Sequence, residues 1–177
     1  MDSTWIANFR HLHAQAKARA LPGAHRAEYV RSREEFAHVV TTSQNLAVQA
    51  GKCHRRGFRV SRALQVDLDI AGRFGRAVTI DLSTRGFSAF VAPELAIGDI
   101  AAVKLRVPGG VRVKAEARVT NLRVQGATAR ASFHLSNIDP EDTERLEVFI
   151  FDVVLESIGE QREDGGRERG PPSRPGR

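Results

Sequence analysis

At 177 residues the chain can bury one real core, with about fifty residues left over, and its 41% hydrophobic and 27% charged content is that of a soluble globular protein. The lone Cys53 excludes a disulfide framework and a multi-cysteine zinc site, which fits a reduced, cytoplasmic protein. No apolar run approaches the roughly 20 residues that span a bilayer, and the opening MDSTWIANFRHLH has no signal-peptide core, so neither membrane insertion nor export is expected. The net charge of +6 is uneven: residues 1–62 carry +7, residues 63–158 carry −2 and residues 159–177 carry +1. A basic N-terminal third calls for an anionic partner or is a solvated helix surface.

Trp5, Phe9, Leu12 and Ala16 fall at helical spacing, with Ser3 or Thr4 as a cap, and predict an amphipathic helix over 3–20 that Leu21-Pro22-Gly23 breaks. A second helix is predicted from Ala24 to Ala50, stopped by Gly51. Tyr29, Phe36, Ser43 and Ala50 recur every seven residues along it. That stripe either packs on the domain that follows or makes a helical homodimer contact.

From residue 63 the period changes to two. Leu64, Val66 and Leu68 alternate with polar residues, and Ala77–Leu82, Phe87–Ala92, Ile100–Val107, Val111–Val124 and Ala127–Leu135 follow as strands between turn signals. Short strands without crossover helices predict an antiparallel barrel or sandwich. Asp139-Pro140-Glu141 then opens a helix whose apolar face is Leu146, Phe149, Ile150, Val153 and Val154. The segment from Gly159 onward has no apolar residue to drive ordering and is expected to be disordered.

No phosphate-binding Gly-rich loop, GxGxxG, HExxH or GxSxG motif is present. Cys53 and His54 alone supply neither a metal cage nor an oriented nucleophile. No catalytic residues and no metal are expected. The informative stretch is Lys52 to Arg62, in which Arg55, Arg56, Arg59 and Arg62 surround Gly57. Guanidinium forks bind phosphate oxygens bidentately and stack on purine rings; the same stretch also fits a basic linker that merely stays soluble. In Thr79 to Ser88, alternation puts Ile80 and Leu82 on one face and Asp81 and Ser83 on the other. A carboxylate and a hydroxyl there can meet the N–H donors of a guanine edge, and Gly86 allows a tight turn. Alone, that stretch is equally a polar strand end.

Together, Arg55-x-x-x-Arg59 and Asp81-x-Ser83-x-x-Gly86 resemble the bipartite signature of the PilZ domain family, over roughly residues 52–155. The resemblance implies a six-stranded antiparallel PilZ-type β-barrel with a C-terminal helix, here behind an N-terminal helical extension at 1–51, with the domain at 52–158 and a tail at 159–177. It implies the ligand cyclic di-GMP and no cofactor. Arg55 and Arg59 would take phosphates and guanine faces, Asp81 and Ser83 the guanine edge, and Gly86 would keep the turn open; Arg56 would add a phosphate contact. His54 stands where relatives that take a paired ligand often carry Arg, which favours one ligand per site. Arg130 stands where many relatives have Gly, and would either crowd the pocket or add a phosphate contact.

The chain is thus expected to be a cytoplasmic second-messenger receptor that couples nucleotide binding to a protein partner through its N-terminal helices. Two rival readings stay open: a PilZ-fold scaffold that has lost its ligand, and a nucleic-acid binder using the basic N-terminal region. The second is disfavoured by the lack of a helix-turn-helix pattern and by an aromatic content of 6%.

Overall fold

The structure, a computed structural model, describes residues 3–46, 57–92 and 94–165. Within them lie helices α1 (Ser3–Lys17) and α2 (Gly23–Leu46), strands β1 (Gln65–Ile70), β2 (Arg73–Ser83), β3 (Gly86–Val91), β4 (Ile100–Val107), β5 (Val111–Gln125) and β6 (Thr128–Ser136), and helix α3 (Pro140–Gly165). The strands close into an antiparallel barrel in the order β1-β2-β3-β6-β5-β4, with β4 pairing back onto β1. Alternation explains the closure: one face of every strand is apolar and buried. The interior mixes Val66, Leu82, Leu105 and Phe87 with fully buried Ala89, Ala101, Ala117, Ala129 and Ala131. A barrel this small has room for bulky side chains only where small ones face them.

The β1–β2 hairpin closes through Ala71 (φ 51°) and Gly72 (φ 81°). Two left-handed residues match the twist of the flanking strands, and Asp69 Oδ1 accepts from the Gly72 N–H at 2.9 Å. At α3, Asp139 caps the helix as predicted, its Oδ1 accepting from the Glu141 N–H at 2.8 Å.

β2 begins at Arg73, ahead of the expected Ala77, because the β1–β2 turn closes at Ala71-Gly72, and two helix boundaries also differ from the expectation. α1 stops at Lys17, ahead of the Pro-Gly break. Arg19 turns left-handed (φ 55°), Ala20 N–H bonds to the Gln15 carbonyl (2.8 Å) and Arg19 N–H to that of Ala16 (3.0 Å). That pair of bonds normally ends a helix at Gly, so no sequence signal marks it. α3 continues past Gly159 to Gly165, beyond the point where an unstructured tail is expected.

α3 also has two apolar faces rather than one. Leu146 and Ile150 are buried with the barrel residues in one continuous core, while Phe151 meets Phe9 of α1 and Phe36 of α2 with ring centroids 5.8 and 5.7 Å apart. The run Leu146–Leu155 is apolar nearly all round, the mark of a helix covered on both sides. Of the seven-residue stripe on α2, Tyr29 and Phe36 are buried in this cluster and Ser43 is exposed; Ala50 lies outside the described residues. A buried polar chain ties the layer: His13 Nδ1 meets the Tyr29 hydroxyl at 2.8 Å and His13 Nε2 meets Asp152 at 3.1 Å. Asp152 also accepts from Lys17 at 2.5 Å. Burial, its largest single influence, raises the Asp152 pKa, but the His13 and Lys17 contacts outweigh it and hold the carboxyl below its ordinary value. Among the described residues no helix is long and apolar enough to cross a membrane.

Candidate functional site

Strands β2, β3 and β6 lie side by side, and their registers set a grid of outward residues. Asp81 faces Ser88, which faces Ser132. Ser83 faces Gly86, which faces His134. Val78 faces Phe90, which faces Arg130. Asp81 and Ser83 therefore share the outer face, opposite the core residue Leu82, as alternation predicts. Ile80 does not join Leu82 inside. A β-bulge shifts the register between Thr79 and Asp81, so Thr79 is buried and Ile80 only partly buried. An extra residue in one strand breaks the period of two, which alternation alone does not foresee.

Buried Thr79 anchors the chain entering the barrel. Its hydroxyl donates to the Arg62 carbonyl at 2.5 Å and accepts from the Leu64 N–H at 2.9 Å. Just before that stretch, Val60 pairs with Leu82 in both directions, N–H to carbonyl, at 2.8 and 2.9 Å. This bridge carries Arg59 to the site. Arg59 Nη1 donates to Asp81 Oδ1 at 2.6 Å, so the two separate motifs meet at one ion pair.

Asp81 Oδ2 accepts from the Ser88 hydroxyl at 2.7 Å and from Arg130 Nη2 at 3.2 Å. Burial, the largest influence, raises the Asp81 pKa. The hydrogen bonds from Ser88 and Arg59 and the charges of Arg59 and Arg130 outweigh it, so the carboxyl sits below its ordinary value. Asp81 is thus an ionised carboxylate whose side chain is 17% exposed, between guanidiniums 33% and 45% exposed. One anion between two cations leaves the cluster positive and ready for an anionic ligand.

Ser83 and Gly86 also make local contacts that the sequence does not disclose. Ser83 does not sit on Asp81: its hydroxyl donates to the Gly86 carbonyl at 3.1 Å and accepts from the Arg85 N–H at 3.4 Å, bracing the β2–β3 turn. Ser88 is the hydroxyl on the carboxylate. Hairpin arithmetic carried that signal, since a Ser83–Gly86 closing pair puts residue 81 opposite residue 88. Gly86 is not left-handed. It is needed because a Cβ there would lie 2.1 Å from the Phe133 carbonyl oxygen on β6. Arg130 lies on the Asp81 carboxylate; its placement depends on β3 pairing with β6, which sequence does not disclose. Arg55 and Arg56 lie outside the described residues.

Gln44 on α2 has no place in either motif. Its Nε2 donates to the Arg59 carbonyl at 2.7 Å and its Oε1 accepts from the Arg59 N–H at 2.9 Å. Among the described residues no group of three or more His, Cys, Asp or Glu could hold a metal ion.

Fold and site together define a small closed antiparallel barrel whose polar cluster lies on its outer wall rather than in its interior. Residues 54–152 match the PilZ domain family, and the chain belongs to that family. Among solved structures it is similar to Escherichia coli YcgR in complex with c-di-GMP, at 26% identity and a TM-score of 0.52, covering 64% of this chain and 50% of that one. It is also similar to the K. pneumonia MrkH–c-di-GMP complex, at 18% identity and a TM-score of 0.54, covering 62% and 55%. Bacillus subtilis MotI matches at 16% identity and a TM-score of 0.50, covering 66% and 54%. The chain spans about half the length of these proteins. No curated protein matches it.

Proposed function

We propose that this chain is a cyclic di-GMP receptor, with no catalysis of its own, that passes the binding event to a protein partner. The observation that carries the reading is the Arg59–Asp81 contact of 2.6 Å, which joins the two halves of the motif on one outward face. The similarity to YcgR, solved with c-di-GMP, supports the same ligand. Asp81 accepts planar N–H donors from guanidinium groups in the free protein. Guanine's N1–H and exocyclic amine present the same kind of edge. Ligand entry then exchanges one donor set for another and frees Arg59, joined by Arg55 and Arg56, for phosphate oxygens and base faces. Arg130 is a further phosphate partner in this reading. Ser83 and Gly86 act by holding the turn and the β3–β6 approach that set the Asp81 floor. The partner surface lies on α2, where Arg31, Glu34, Glu35 and His38 are exposed.

Calorimetric titration of the full chain with cyclic di-GMP and cyclic di-AMP tests this. Adenine has no N1–H to offer, and an unpaired buried carboxylate costs about 1–3 kcal/mol. Cyclic di-GMP should therefore bind at least about tenfold more tightly. Arg59→Ala should weaken binding at least about tenfold, or about 1.4 kcal/mol. Equal affinity for the two dinucleotides removes Asp81 from its role. Absence of binding leaves the scaffold or nucleic-acid reading.

A further inference from the structure

Neighbouring backbone groups of an extended chain point to opposite sides. Val60 spends both of its groups on Leu82 of β2, so those of Arg59 face away from the barrel, where no strand follows among the described residues. Gln44 fills that place. Its side-chain amide is a donor and an acceptor in one plane, and it closes on the N–H and carbonyl of the same residue at 2.9 and 2.7 Å. The contact is that of a strand neighbour, made by the last described turn of a helix. One residue earlier, Phe58 is buried against Phe151 of α3, with centroids 5.6 Å apart. Three successive residues are thus held by three different elements: Phe58 by α3, Arg59 by α2 and Val60 by β2.

We propose that Gln44 is the positioning residue for Arg59, and that through it α2 and the nucleotide site share one equilibrium. The inference rests on the cyclic di-GMP reading above. Among the described residues, only a side chain, that of Gln44, fixes the open side of the backbone from which Arg59 reaches Asp81. A long side chain keeps its aim only while its backbone and supporting contacts hold. Movement of the end of α2 breaks the amide clamp, loosens Arg59 and lowers affinity. By linkage, a ligand that engages Arg59 favours the clamped position of α2 to the same degree. A partner that binds α2 in the clamped position tightens the ligand, and one that pulls α2 away expels it.

The test uses the full chain with Gln44→Leu, which keeps the size and removes the clamp, and Gln44→Glu, which keeps the acceptor and loses the donor. Gln44→Leu should weaken cyclic di-GMP binding roughly tenfold and Gln44→Glu less. Thermal unfolding separates a loss of affinity from a loss of fold. In an Arg59→Ala background, Gln44→Leu should change affinity little, since Gln44 acts through Arg59. Hydrogen exchange at the Arg59 amide, measured without ligand, should rise in Gln44→Leu. Wild-type affinity in a folded Gln44→Leu overturns the proposal while the receptor reading stands, and so do additive losses in the double variant. If the wild-type chain does not bind the dinucleotide, the reading fails and the coupling with it; the Arg59 amide exchange then decides by itself whether the clamp exists in solution.

Discussion

Asp81 accepts from Arg59, Ser88 and Arg130, and each donor reaches it from a different piece of backbone. The segment ahead of β1 supplies the first, β3 the second and β6 the third. A side chain so placed reports on the register of all three, and Gly86 is where that register is most tightly constrained. Because an added Cβ would meet the Phe133 carbonyl at 2.1 Å, Gly86→Ala must push β3 away from β6. Overpacking of this kind costs about 1–3 kcal/mol. Gly86→Ala is expected to lower the denaturant midpoint and to weaken ligand binding together. Loss of binding with an unchanged midpoint would instead make Gly86 a ligand contact. At this scale the sequence was legible wherever local pairing decides position: Asp81 and Ser83 fall on the expected face. It was not legible at Ile80, where one bulge residue reverses the alternation, or at Arg130, whose neighbour is chosen by strand order. Gln44 was invisible for the same reason. A polar residue late in a helix carries no mark of the backbone it will meet.

At the scale of elements, the helices obey two kinds of rule. The start of α3 is local chemistry, with Asp139, Pro140 and Glu141 in consecutive positions, and it was readable. The end of α1 is local geometry without its usual glycine, and it was not. The packing of α1, α2 and α3 depends on a hub in which His13 is 2% exposed yet hydrogen-bonded at both ring nitrogens. Asp152 fixes one end of that hub, and its folded pKa is lowered. A depressed carboxyl contributes stability that is present above its unfolded value, about 3.9, and that is lost as the pH falls through the folded value. The helical layer should accordingly loosen in acid below about pH 4. Asp152→Asn is expected to lower stability at pH 7 and to flatten the fall between pH 7 and pH 3, followed as denaturant midpoints at each pH. A variant whose acid limb parallels the wild type would show that Asp152 gains nothing from His13 and Lys17.

For the whole molecule, the question is whether the N-terminal helices are an appendage or part of the folded unit. Sequence similarity to the family begins at residue 54, and the expected division places residues 1–51 outside the domain. Packing argues for a single cooperative body. Phe9, Phe36, Phe58 and Phe151 are all buried in one aromatic cluster drawn from α1, α2, the Arg59 segment and α3. Arg33 of α2 also lies over the Phe151 ring at 5.7 Å and pairs with Glu147 of α3. A fragment of residues 52–158 would expose Phe58 and Phe151 and lose Gln44. Re-exposing a buried Phe costs roughly 1.5–3 kcal/mol, so two approach the lower end of the ~5–15 kcal/mol that hold a domain folded. The fragment is therefore expected to melt well below the full chain and to self-associate through the uncovered face of α3. Calorimetry and size-exclusion chromatography on both proteins check this. A monomeric fragment with the full chain's melting temperature would make the helices an independent module. If that fragment also bound the dinucleotide as tightly as the full chain, Arg59 would need no help from α2, and the proposed coupling through α2 would fail.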